Sequence, residues 1–156
     1  MQTSLLFPAS APAMHTLFIA RHAENSRHTY GAFKMTDAAN NVAITGYTLE
    51  PGGLSGPFHL SGKRLPAGAY RLDWQYIPGE GNRLVLFNGR LPAGRLFQLN
   101  HTGALPENKG YLVLSRQPIY EPTNAMGFSA RSAGFELEAL LRKVGVTEVE
   151  VRVTDY

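Results

Sequence analysis

Residues 69–87 read AYRLDWQYIPGEGNRLVLF. Tyr70, Leu72, Trp74 and Tyr76 fall on one side of an extended chain, and Arg71, Asp73 and Gln75 on the other. That period of two is the pattern of a half-buried strand, because successive side chains of an extended backbone point to opposite faces. Gly79-Glu80-Gly81-Asn82 turns the chain and RLVLF runs back as the hairpin partner. The aromatic face is read as a core wall, with a stacking platform for sugars or bases as the alternative.

The hairpin lies between two copies of one short segment. Arg64-Leu65-Pro66-Ala67-Gly68 recurs as Arg90-Leu91-Pro92-Ala93-Gly94. Proline fixes φ and glycine accepts positive φ, so each copy is expected to turn a corner and launch a strand. Two copies are too few for a solenoid and mark equivalent corners of one β-structure.

Upstream, His15–Arg21 is an apolar run rich in β-formers and reads as the first strand. Phe33–Glu50 reads as two strands joined at Ala38-Ala39-Asn40-Asn41. His22 and His28 are taken as exposed histidines of the polar loop between, since a metal site needs further ligands at defined spacing and none is evident. Pro51-Gly52-Gly53 and Gly56-Pro57 interrupt regular structure and are read as a long connection, with a lid as the alternative. Downstream, Ser132 is expected to cap a helix with Glu136 in its first turn. Leu137, Leu140, Leu141 and Val144 form its apolar stripe, Glu138 and Arg142 can pair outside, and Gly145 stops it. Val149, Val151 and Val153 alternate with charged residues in a last strand expected at or near a sheet edge. The fold expected is mainly β, or α+β: a barrel-like or sandwich domain over residues 15–156, with one late amphipathic helix before its final strand. Residues 1–14 read as a loose leader, ending at a second possible start, Met14, and lacking the basic segment of a signal peptide.

Composition narrows the chemistry. The 156 residues fit one domain able to bury a core without staples, and 16 glycines and 10 prolines imply many turns. With no cysteine the chain has no disulfide, no thiolate metal site and no thiol nucleophile. The +3 formal charge is a mild basic excess. Nucleic-acid binding through Arg21, Arg27, Arg64, Arg71, Arg90 and Arg95 is not favoured, because these are scattered along the chain. No window approaches the roughly 18 uninterrupted apolar residues of a membrane span.

The segment carrying the candidate site is Arg95–Arg116, RLFQLNHTGALPENKGYLVLSR. Two apolar runs, Leu96–Leu99 and Tyr111–Leu114, flank a polar loop that opens with Asn100 and His101, and loops at strand ends commonly carry function. His101, Tyr111 and Ser115 are the candidate catalytic groups. Asn100, Gly103, Asn108, Arg95 and Arg116 are the candidate binding residues. No metal or cofactor is expected.

The order of YTLE (Tyr47–Glu50), LPAGAYRL (Leu65–Leu72), LPAGRLFQLNHTG (Leu91–Gly103), ENKGYLVLS (Glu107–Ser115) and SARSAGFELEALL (Ser129–Leu141) resembles an uncharacterised domain family of bacteria and their phages. Members show a histidine-any-glycine-asparagine loop leading to glycine-cysteine and an apolar strand. The loop is similar, more faintly, to that of the L,D-transpeptidases of peptidoglycan, which pair a histidine with a cysteine for acyl transfer. By that resemblance His101, Gly103 and Gly110 hold the histidine and two glycine positions. Ala104 replaces the asparagine, and Tyr111 stands in the place of the cysteine. A phenol with a reference pKa near 10 is mostly protonated at neutral pH, so thioester chemistry is excluded. Ser115, four residues on, lies about 13 Å further along an extended strand.

Two readings follow. In the first, the chain is a non-catalytic binding or structural module of a phage- or cell-envelope-associated system, with a protein or cell-wall polymer as partner. In the second, it is an acyl transferase or hydrolase acting on peptidoglycan, with His101 as base and a hydroxyl nucleophile.

Overall fold

The period-two pattern of residues 69–77 is realised as one of eight strands that close into a barrel. In the computed structural model the residues described are 15–24, 28–51, 65–79, 81–89, 97–100, 111–116 and 136–155. In chain order the strands are β1 (His15–Glu24), β2 (His28–Asp37), β3 (Val42–Pro51), β4 (Gly68–Ile77), β5 (Gly81–Phe87), β6 (Phe97–Asn100), β7 (Tyr111–Ser115) and β8 (Val149–Thr154). Around the barrel they run β1-β2-β3-β7-β6-β5-β4-β8 and back to β1. Two neighbouring pairs are parallel, β1 with β8 and β6 with β7; the others are antiparallel. Closure leaves β8 hydrogen-bonded on both sides, to β1 and to β4, so the last strand is not at an edge as expected. Its three inward valines explain why: a strand this apolar on one face is better buried between two partners than left at a rim.

The core follows the alternation. Leu17 and Ile19 of β1 face Met35 and Phe33 of β2 across the ladder, and Tyr70 and Leu72 of β4 face Val151 and Leu86. Tyr70 is 2% exposed, whereas Tyr76 on the same face is 68% exposed, because it lies at the hairpin end beyond the core. Leu49 and Val113 are also buried and pair across β3 and β7, on the opposite face from the inward Leu114.

The helix over residues 136–144 buries Leu137 and Leu141 in this same core, with Leu140 and Val144 half-buried beside them. This is the predicted stripe. Arg142 lies over the Trp74 ring at 4.3 Å from its centroid, a cation–π contact that ties the helix to β4. Gly145, at φ 88, donates to the Leu141 carbonyl at 2.8 Å and ends the helix; Val146–Glu148 then form a single 3-10 turn into β8. Ser132, the expected cap, lies outside the described residues.

Local chemistry sets the corners. Asp37 Oδ1 accepts the backbone N–H groups of Ala39 and Asn41, each at 2.9 Å, and Asn40 takes positive φ (65°) to finish the β2–β3 turn. Gly68 opens β4 at φ 149, a conformation that favours glycine, and the Tyr70 hydroxyl donates to the Pro66 carbonyl at 2.5 Å. The first Pro-Ala-Gly corner therefore launches a strand as read from sequence. The second copy, residues 90–94, lies outside the described residues. The segment expected as a polar loop around His22 and His28 is largely strand: His22 sits exposed in β1 and His28 half-buried at the start of β2.

Candidate functional site

Two places on the barrel gather polar or charged groups, one inside its wall and one outside. The first is centred on Arg21. The chain alternates Leu17, Ile19 and Arg21 along the inner face of β1, so the cation enters the interior where the apolar run gives out. Its Nε donates to Glu50 Oε2 at 2.9 Å and its Nη2 to Glu50 Oε1 at 2.8 Å, a two-pronged pair across the barrel. Nη1 donates to Asp155 Oδ1 at 2.9 Å, and Nη2 also donates to the Leu65 carbonyl. The Leu65 N–H in turn donates to Glu50 Oε1 at 3.3 Å. Burial by itself would lower the guanidinium pKa, but the hydrogen bond and charge of Glu50, and after them those of Asp155, raise it above the usual value. Four of the five N–H groups of this guanidinium go to two carboxylates and a carbonyl, and at 2% exposure the side chain is closed to a substrate. It fastens β1, β3, the Leu65 corner and the end of β8 together. Arg21 is thereby removed from the arginines a nucleic acid could meet, and Arg71 of the same set donates to the Thr147 carbonyl at 2.8 Å.

The second place is a groove of about 450 Å³ on the outer wall of β1, β2 and β3. The register explains it. Ala20, Ala32 and Tyr47 stand side by side across three strands, and Phe18, Lys34 and Thr45 form the adjacent row. Two alanines in neighbouring strands leave a trough, which Phe18 and Tyr47 bound and Arg116 closes from the start of the segment after β7. Gly46 lies in the same wall: a Cβ there would come within 2.5 Å of both the Phe33 ring and the Ser115 carbonyl, so the strand packs this closely only with glycine. The Lys34 ammonium stands 5.5 Å from the Phe18 ring centroid and pairs with no carboxylate among the described residues. Arg116 is half-exposed and forms an ion pair with Glu136 at the start of the described helix. An apolar floor beside an uncommitted ammonium can hold an anion that carries apolar groups. Among the described residues that line the groove there is no histidine or carboxylate.

The residues predicted from sequence are distributed unevenly over these places. Arg116 lines the groove. Ser115 precedes it at the end of β7, opposite Tyr47, but is only 1% exposed. Asn100 ends β6, paired with Val113, and Tyr111 opens β7, paired with Gln98. Tyr111 and Ser115 belong to one unbroken strand, so the spacing along the chain stands as expected. His101, Gly103, Asn108 and Arg95 lie outside the described residues. β6 and β7 run parallel, which a tight turn between them would not allow. Sequence reasoning missed Phe18, Lys34 and Ala32; the available signal was Ala20 and Ala32 at outward positions beside the large inward residues Leu17, Ile19, Phe33 and Met35.

Among the described residues no group of three or more His, Asp or Glu side chains could hold a metal ion, and no helix is long and apolar enough to cross a membrane. Compared with protein-family models, curated proteins and solved structures, the chain matches none.

Proposed function

We propose that the chain is a non-catalytic binding module, a barrel that presents one flank to a protein or a cell-wall polymer in the phage- or envelope-associated setting implied by its sequence resemblance. The reading is supported above all by the contrast at the end of β7. Ser115, one of the two strand hydroxyls that could act as nucleophile, is enclosed at 1% exposure, while its neighbour Arg116 faces an open groove. A nucleophile must reach the reacting atom, and a side chain sealed in a strand does not. The phenol at position 111 lacks the acidity of the thiol it replaces, which points the same way.

The test is co-sedimentation of the full chain with purified sacculi, together with retention of lysate proteins on the immobilised chain. Saturable retention by one of these, with no soluble muropeptide released, is the expected result. Release of peptidoglycan fragments that is abolished by His101→Ala would replace this reading with the enzymatic one, and retention of nothing would defeat it.

A further inference from the structure

Building on the binding-module reading, we propose that the groove on β1–β3 is the docking site for an acidic peptide segment, one carboxylate resting on Lys34 and an apolar side chain on the Ala20–Ala32 floor. Three observations carry the choice of occupant. The first is charge: Lys34 is exposed and, among the described residues, pairs with no carboxylate and stands over the face of Phe18, so it offers an ammonium to an incoming anion. Arg116, exposed at the edge of the groove and paired with Glu136, adds a second positive charge to the same lining. The second is shape. At about 450 Å³ the groove matches the size of ligand sites, yet it is open along the sheet rather than enclosed, which suits a chain passing through better than a small molecule swallowed whole. The third is the mixed lining: alanines, Phe18 and Tyr47 surround the cations, and an acidic segment with interspersed apolar residues satisfies both. A nucleic acid would call for a row of cations tracking its phosphates.

The test uses the full chain, labelled with ¹⁵N, and two capped hexapeptides, Ala-Leu-Glu-Leu-Glu-Ala and the same peptide with glutamine for glutamate. With the acidic peptide, amide shifts centred on Ala20, Ala32 and Lys34 are expected, and binding should weaken as salt rises. Lys34→Gln should weaken binding about fivefold, the upper range for one exposed charge pair. Ala32→Trp should abolish it by filling the floor, while Val42→Trp, on an exposed site outside the groove lining, leaves it intact. Because Lys34 is exposed, Lys34→Gln should retain the wild-type spectrum, so the result stands even if Ala32→Trp disturbs folding. Equal binding of the glutamine peptide, no shifts at millimolar peptide, or larger shifts with a single-stranded oligonucleotide would each overturn the proposal. If the groove stays silent while sacculi or lysate partners are still retained, the docking assignment falls and the binding-module reading survives.

Discussion

Arg21 shows what a single charged residue does when alternation delivers it to the inside of a barrel. Its ion pair with Glu50 spans the interior from β1 to β3, and both side chains are at most 1% exposed. Pairs like this add little net stability over an apolar replacement, yet removing one partner strands the other without compensation. The two removals are not equivalent here. Without Glu50 the guanidinium keeps Asp155 and the Leu65 carbonyl; without Arg21 the buried Glu50 carboxylate retains only the Leu65 N–H among its described partners. Urea unfolding should therefore show a loss of about 3 kcal/mol for Glu50→Ala and about 5 kcal/mol for Arg21→Leu. An Arg21→Leu variant as stable as Glu50→Ala would mean that Asp155 contributes nothing to holding the cation.

The β2–β3 turn has a stability that depends on pH. Asp37 has its pKa lowered from 3.8, first by the backbone hydrogen bond from Asn41, then by that from Ala39, with the Asn41 side chain and the charge of His15 adding to it. Because the folded value lies below the unfolded one, the carboxylate contributes stability above about pH 4, and the contribution is lost as pH falls through the folded value. Asn keeps the oxygen acceptor but not the charge. Asp37→Asn should be less stable than wild type at pH 6, and the gap between their urea midpoints should close toward pH 2; a gap that stays constant would assign the difference to geometry rather than to charge. The other elements follow local rules as directly. The helix buries its i, i+4 leucines and stops at Gly145, and the Pro66-Ala67-Gly68 corner turns into β4.

For the molecule as a whole, the decisive element is β8, which closes the barrel by pairing with β1 on one side and β4 on the other. Val151 faces Leu17 across one ladder and Tyr70 across the other, and all three are buried. Val151→Ala removes two methyl-sized groups from that junction and should cost about 2–3 kcal/mol once the cavity left behind is counted. Hydrogen exchange should show β1 and β4 losing protection together, although they are far apart in sequence, because both depend on one strand. Loss of protection in only one of them would indicate that the barrel opens at a different seam.

The strands, the turn at residues 38–41, the helix stripe and the absence of thiol chemistry were legible in the sequence, since each depends on residues within a few positions of one another: alternation, a proline-glycine corner, a 3.6-residue period, a count of zero cysteines. The position of β8 was not, because a strand's neighbours are set by which faces must be buried together across the whole chain. Nor was the groove, since Ala20 and Ala32 become one floor only through the register of β1 on β2. Arg21 and Glu50, 29 residues apart, look like two ordinary surface charges until the register of β1 on β2 and of β2 on β3, with Arg21 opposite Gly31 and Gly31 opposite Thr48, brings them together where water cannot reach. Pairing across strands is a long-range fact, and only the tertiary structure decides it.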